Sequence, residues 1–179
     1  MALFIFAALL SSAVAALLDW RRREIPNWLT FGALGAAVIA HGIVGALRVG
    51  VLGGLQEAAW SVIGAAACAL VPFVFWRKGV FGGGDVKMLA ALGGLLQPTL
   101  AIEAEFYALI VAAIFAPARL AWEGKLLQVL GNSAAIMINP LLPKAKRRTI
   151  SPEVLTQIPF GPAIFAGVAV CAFAHRAGP

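Results

Sequence analysis

Negative charge is nearly absent from this chain. Of its 179 residues only eight are acidic, and only two of those, Asp19 and Asp85, are aspartates. Cysteine and histidine number two each. Two cysteines, Cys68 and Cys171, in separate apolar stretches exclude a disulfide scaffold and offer no ligand-spaced cluster, so both are read as small core residues. His41 and His175 fall at different depths and do not make a paired metal site. There is no nucleotide-binding loop, no Ser-His-Asp series and no internal repeat, and neither a metal nor a cofactor is expected.

What fills the chain instead is hydrocarbon. Hydrophobic residues make up 61% and charged residues 12%, and the mean hydropathy is +0.92, far outside the range of soluble domains. A helical span takes roughly 20 apolar residues, so the chain is expected to be an all-α polytopic membrane protein of about six transmembrane helices. The windows run over Ala2–Leu18, Trp28–Leu47, Gln56–Trp76, Val86–Ile102, Glu105–Trp122 and Pro159–His175. The first has no basic segment before it and stays apolar past its small residues, so it is expected to be a retained helix rather than a cleaved signal.

Lysine and arginine orient the bundle. If the windows alternate, twelve of the fourteen basic residues flank one side and only Arg48 and Arg176 the other. The positive-inside rule then puts both termini outside the cytoplasm. The net charge of +6 reads as topology and attraction to anionic membrane lipids, not as nucleic-acid binding. The whole chain, 1–179, is taken as a single membrane domain. Residues 123–158 form a cytoplasmic loop in which Leu126–Leu142, broken by Gly131, Asn132, Asn139 and Pro140, is expected to lie on the membrane surface as an interfacial helix.

Both aspartates then fall at one shallow depth on the cytoplasmic side, Asp19 at the end of the first span and Asp85 at the start of the fourth. Ionisable groups at membrane depth are costly and point to function. Each also has a structural explanation: Asp85 as an N-cap, Asp19 as an ion-pair partner of Arg21, Arg22 and Arg23. The glycines Gly82, Gly83 and Gly84 weigh against a mere cap, because a cap does not need them. A loop in positive φ, or one admitting another backbone, does.

The stretch "GGGDVKMLAALG" resembles the Gly-x-Gly-Asp-x-Lys motif of the type IV prepilin peptidases, which are membrane-embedded aspartic proteases. "DWRRREIPNWLT", Asp19 to Thr30, is similar to their first-aspartate motif, with Pro26 and Asn27 in its Ile-Pro-Asn. "IPFGPAIFAG", Ile158 to Gly167, is similar to the segment that opens their last span, with Pro159 and Gly161. Gly-x-Gly-Asp alone is shared with presenilin-like and signal-peptide-peptidase proteases; three motifs in order are specific. The resemblance implies Asp19 and Asp85 as the catalytic pair, with Gly82, Gly84 and Lys87 in support. It implies cleavage of prepilins or pseudopilins after a glycine at the cytoplasmic face of a bacterial inner (plasma) membrane. The chain lacks the cysteine-paired cytoplasmic domain of the bifunctional members and resembles the short, peptidase-only branch that serves Flp-type (tight-adherence) pilins.

Two carboxylates suit that chemistry, one ionised to activate water and one protonated to serve as acid. The helix dipole would favour Asp85, at an N-terminus, as base and Asp19, near a C-terminus, as acid. Lys87 is open to three readings, a headgroup contact, a hold on the glycine loop itself or a positive-inside anchor. The competing function classes are a small proton- or cation-coupled transporter and a non-enzymatic subunit of a pilus or secretion assembly.

Overall fold

The computed structural model describes residues 1–77, 81–124, 127, 130, 131 and 159–175. Five helices are defined among them: α1 (Ala2–Arg22), α2 (Asn27–Val49), α3 (Val51–Arg77), α4 (Gly83–Trp122) and α5 (Gly161–Ala174). No strand occurs among the described residues, so the all-α expectation holds. Helices α1 to α4 are each long and apolar enough to cross a membrane, and α5 is a shorter apolar helix. The chain is a multi-pass membrane protein. Residues 1–111 and 159–179 belong to one compact unit and 112–158 to a second; the described part of the second carries the end of α4 and an Arg119–Glu123 ion pair of 3.0 Å.

Side-chain size sorts the first unit. Ala8, Ala15, Ala37, Ala91, Ala104, Ala108 and Ala163 are buried, while Leu3, Phe6, Leu10, Leu17, Ile39 and Phe106 are more than half exposed. Large apolar groups on the outside and small ones inside suit a bilayer, where lipid is as apolar as leucine and helices gain by close backbone packing. Gly50, at φ +86, turns α2 into α3, and the two helices then pack through Gly42 against Gly54 and Gly45 against Gly53. A Cβ on Gly64 of α3 would overlap the Gly93 carbonyl of α4, and one on Gly167 of α5 would overlap the backbone at Ala104 and Ala108. The half of α4 that runs from Met88 to Leu96 is the most enclosed stretch, with Met88, Leu89, Ala91, Leu92, Leu95 and Leu96 all buried.

At 40 residues α4 would measure about 60 Å if straight, twice the roughly 30 Å of a hydrocarbon core. It does not run straight. Gln97 has φ 59 and ψ 170, a region that costs a non-glycine residue about 1–3 kcal/mol, and Pro98 opens the arm that follows. The contacts of α5 fix the direction of that arm: Gly167 meets Ala104 and Ala108, the Cys171 thiol faces the Leu100 carbonyl and His175 bonds Glu103. As α5 leads away from Gly161 beside Asp19, it meets the second arm first at Ala104 and Ala108 and then nearer the arm's start, at Leu100 and Glu103, so the two arms of α4 run in opposite directions.

Local chemistry explains the reversal. Pro98 has no N–H for the Gly94 carbonyl, and the break removes the donor for Leu95. Ser61 Oγ donates to the Gly94 oxygen at 2.8 Å, and His41 Nε2 donates to the Leu95 oxygen at 3.1 Å. Gln97 Nε2 donates to Glu57 Oε2 at 2.6 Å and lies 3.3 Å from His41 Nδ1, whose ring stacks on Phe4 at 3.6 Å. The expected boundary between the fourth and fifth windows, at Ile102 to Glu105, is therefore corrected to Gln97–Pro98. Glu105 is buried within the helix. The surface-helix expectation for Leu126–Leu142 falls almost wholly outside the described residues, as does Arg176.

Candidate active site

Asp19 lies in the last turn of α1, where Arg23 closes the helix in the left-handed conformation (φ 55) and donates its N–H to the Asp19 carbonyl at 2.8 Å. The side chain is turned inward, 6% exposed. Its Oδ2 accepts the Gly161 N–H at 2.7 Å, one of the free donors at the start of α5. Pro159 and Phe160, both buried, lead into that turn.

Asp85 sits in the first turn of α4, half-buried. The expectation that it caps the helix is corrected: α4 begins at Gly83, so Gly82 holds the cap position and Asp85 the third helical one. From there Oδ2 reaches back to the Gly82 N–H at 3.1 Å, as the acidic half of a capping box does. Gly161 holds Asp19, and Phe160 beside it packs on Phe81 of the loop that carries Asp85, so the fold brings together two side chains from the ends of different helices. Each carboxylate takes one backbone N–H. The asymmetry expected from the helix dipoles is thus offset at Asp19 by the donor from α5.

Of the two reasons expected for the glycines, positive φ or close approach, the structure supports the second. Positive φ among the described glycines is confined to Gly50 and Gly124, so Gly82, Gly83 and Gly84 are not left-handed. They make room instead. A Cβ on Gly82 would stand 3.0 Å from Asp85 Oδ2, one on Gly83 3.4 Å from Trp76 Nε1, and one on Gly84 3.2 Å from Ile25 Cβ. Ile25 is buried against that gap, which links the Ile-Pro-Asn stretch to the glycine loop. Pro26 then caps α2 in extended backbone. Asn27 Oδ1 accepts a hydrogen bond from Lys87 Nζ at 2.9 Å, and the ammonium also lies 5.5 Å from the Phe31 ring centroid. Lys87 is thereby a tie between α4 and α2. Phe81 packs on Phe160 with ring centroids 4.7 Å apart. Sequence reasoning passed over Ile25, Phe81 and Phe160 as supports, although Ile25 and Phe160 lie within the quoted motifs and Phe81 directly precedes one.

Four contacts therefore join three separate stretches around two aspartates: Gly161 to Asp19, Phe160 to Phe81, Gly84 to Ile25 and Lys87 to Asn27. The family model for the type IV leader peptidases matches residues 4–117, which include both aspartates. The chain belongs to the type IV leader peptidase family. Prepilin peptidase EppA of Methanothermobacter thermautotrophicus is 33% identical over 104 residues, covering 55% of this chain. The match spans a quarter of that relative's length, 25%. No solved structure matches the chain. Pro159 and Gly161 lie beyond the segment matched to the leader peptidase family, yet the Gly161 N–H holds one of its two aspartates.

Away from the aspartates, His41 is 3% exposed and serves the α4 reversal. Cys171 is buried in the core as expected, but the reading that it has no ligand-spaced partner is corrected. His175 is one helical turn on from it, and the two lie with Glu103 within 4.8 Å of one another, measured between ligand atoms.

Proposed function

We propose that this member of the leader peptidase family is an aspartic endopeptidase that removes the leader of type IV prepilins or pseudopilins, with Asp19 and Asp85 as its catalytic pair. The observation that carries the reading is the pairing itself. The only two aspartates of the chain, 66 positions apart by their numbers, are drawn to one place by the Gly161–Asp19 bond and the Phe160–Phe81 contact, and each is oriented by a backbone N–H. Neighbouring carboxylates in a poorly solvated site share a proton. The ionised one then draws a proton from water as it attacks the scissile carbonyl, while the protonated one donates to the carbonyl oxygen; as the C–N bond breaks, the first passes its proton to the departing amine and the second takes one back from the tetrahedral diol.

Both aspartates sit at the helix ends that carry the basic residues, so the reaction takes place at the cytoplasmic face of a plasma membrane spanned six times, with both termini outside. The opposed arms of α4 support that count. Flp-type prepilins are the proposed substrates, and membrane lipids surround the bundle.

Co-expression with a Flp-type prepilin tests this, read as a mobility shift on a gel. Wild type should cleave, and Asp19→Asn and Asp85→Asn should each abolish cleavage while accumulating normally in the membrane. Near-normal cleavage by either variant would remove that aspartate from the chemistry. A transporter or an assembly subunit would leave the prepilin uncut even with wild type.

A further inference from the structure

Apart from the aspartates, one set of three ligating side chains converges among the described residues. Glu103 comes from the second arm of α4, Cys171 and His175 from α5, and their ligand atoms all lie within 4.8 Å of one another. Cys171 and His175 are four residues apart, the spacing that puts two side chains on one helix face. Glu103 Oε2 already bonds His175 Nε2 at 2.8 Å, and Tyr107, one turn further along α4, hydrogen-bonds the same carboxylate. The Cys171 sulfur is buried beneath them, and His175 is exposed at the mouth. A pocket lined by Ile5, Leu96, Leu100 and Val168 opens against Cys171 and His175. The set is remote from the proposed catalytic pair: Ile5 precedes Asp19 by about 21 Å along α1, at 1.5 Å per residue.

The geometry points to a binding site for a divalent metal of the zinc class, held by Glu103 Oε2, Cys171 Sγ and His175 Nε2, with the pocket supplying an open fourth position. One sulfur, one imidazole nitrogen and one carboxylate oxygen suit a borderline ion such as Zn2+ or Co2+, whereas Mg2+ and Ca2+ take oxygen alone. Bonds of about 2.0–2.3 Å at tetrahedral angles put ligand atoms about 3.5 Å apart. The present separations reach that after the His175–Glu103 bond opens and the sulfur shifts by about an ångström. Tyr107 orients the carboxylate, as residues behind metal ligands do. The ion would tie the second arm of α4 to the end of α5, and it takes no part in peptide hydrolysis.

The test uses full-length, tag-free protein in detergent, titrated with Co2+. We expect a thiolate-to-cobalt absorption band that saturates at one equivalent and is bleached by Zn2+. Cys171→Ser should abolish the band and Cys68→Ser should leave it intact. Glu103→Gln and His175→Gln should each weaken binding by about tenfold or more. Variants are compared only if they run as one monodisperse species. In wild type, independently of any variant, Zn2+ should slow alkylation of Cys171 and not of Cys68, as located by mass spectrometry. No band at micromolar Co2+, a band that survives Cys171→Ser, or equal alkylation with and without Zn2+ would overturn the proposal.

Discussion

Replacing Gly161 by alanine puts a methyl group where Asp19 stands. The new Cβ would lie 2.8 Å from Asp19 Cβ, 2.9 Å from its Oδ2 and 3.1 Å from the Ala16 Cα, all inside the contact distance of about 3.5–4.0 Å. Neither the Asp19 Cβ nor the α1 backbone can swing aside, so the start of α5 must retreat. That lengthens the 2.7 Å bond from the Gly161 N–H to the carboxylate. A hydrogen bond to a charged group is worth about 1.5–3 kcal/mol. At about 1.36 kcal/mol per decade of rate, its loss from an aspartate that must be held in position predicts a fall in kcat of about ten- to 150-fold. The assay is cleavage of a purified prepilin by detergent-solubilised enzyme under saturating substrate. Gly32→Ala is the control, because nothing lies within 4 Å of a Cβ there, and it should keep the wild-type rate. Activity of Gly161→Ala within about threefold of wild type, in protein that accumulates normally, would mean that α5 does not position Asp19 for the reaction.

Two further outcomes are expected. Gly84→Val should reduce cleavage by more than about tenfold with little effect on membrane accumulation, because its Cβ meets Ile25 Cβ at 3.2 Å and its methyls push apart the loop that carries Asp85; full activity on the same gel assay would remove that packing role. The pH profile of kcat/KM should be bell-shaped, falling in acid as the pair takes a second proton and in alkali as it loses the last, with chelators without effect on the rate; a rate rising steadily into alkali would exclude a shared-proton pair.

Sequence made both aspartates legible because charge is so scarce in this chain that each one had to be explained, and because motif residues flank them. It also gave the helical class, since apolar length is a local property. What it could not give was who touches whom. Lys87 was open to several readings because its partner, Asn27, lies 60 residues away. Gly84 was open to two, positive φ or close approach, because the gap it leaves is filled by Ile25, from another helix junction. The α4 reversal was misplaced at Ile102 to Glu105, although proline at a helix start marks Gln97–Pro98. The pairing of Cys171 with His175 needed only a count of four along a helix; Glu103 needed the fold.

The way α4 turns back on itself also sets a timetable. At the turn the Gly94 and Leu95 carbonyls have no donor within their own helix and are met by Ser61 of α3 and His41 of α2. A polar group left unmet in lipid costs several kcal/mol, so this segment has nowhere stable to bend until the two preceding helices stand beside it. Translation from the N-terminus delivers them first. A chain rearranged so that α4 emerged before α2 and α3 would have to wait, with its turn held at the watery boundary or by the insertion machinery. Splitting the gene should accordingly succeed when the cut falls after α3 and fail when it separates α2 from α3. Co-expressed halves that reconstituted equally well from either cut would refute that order.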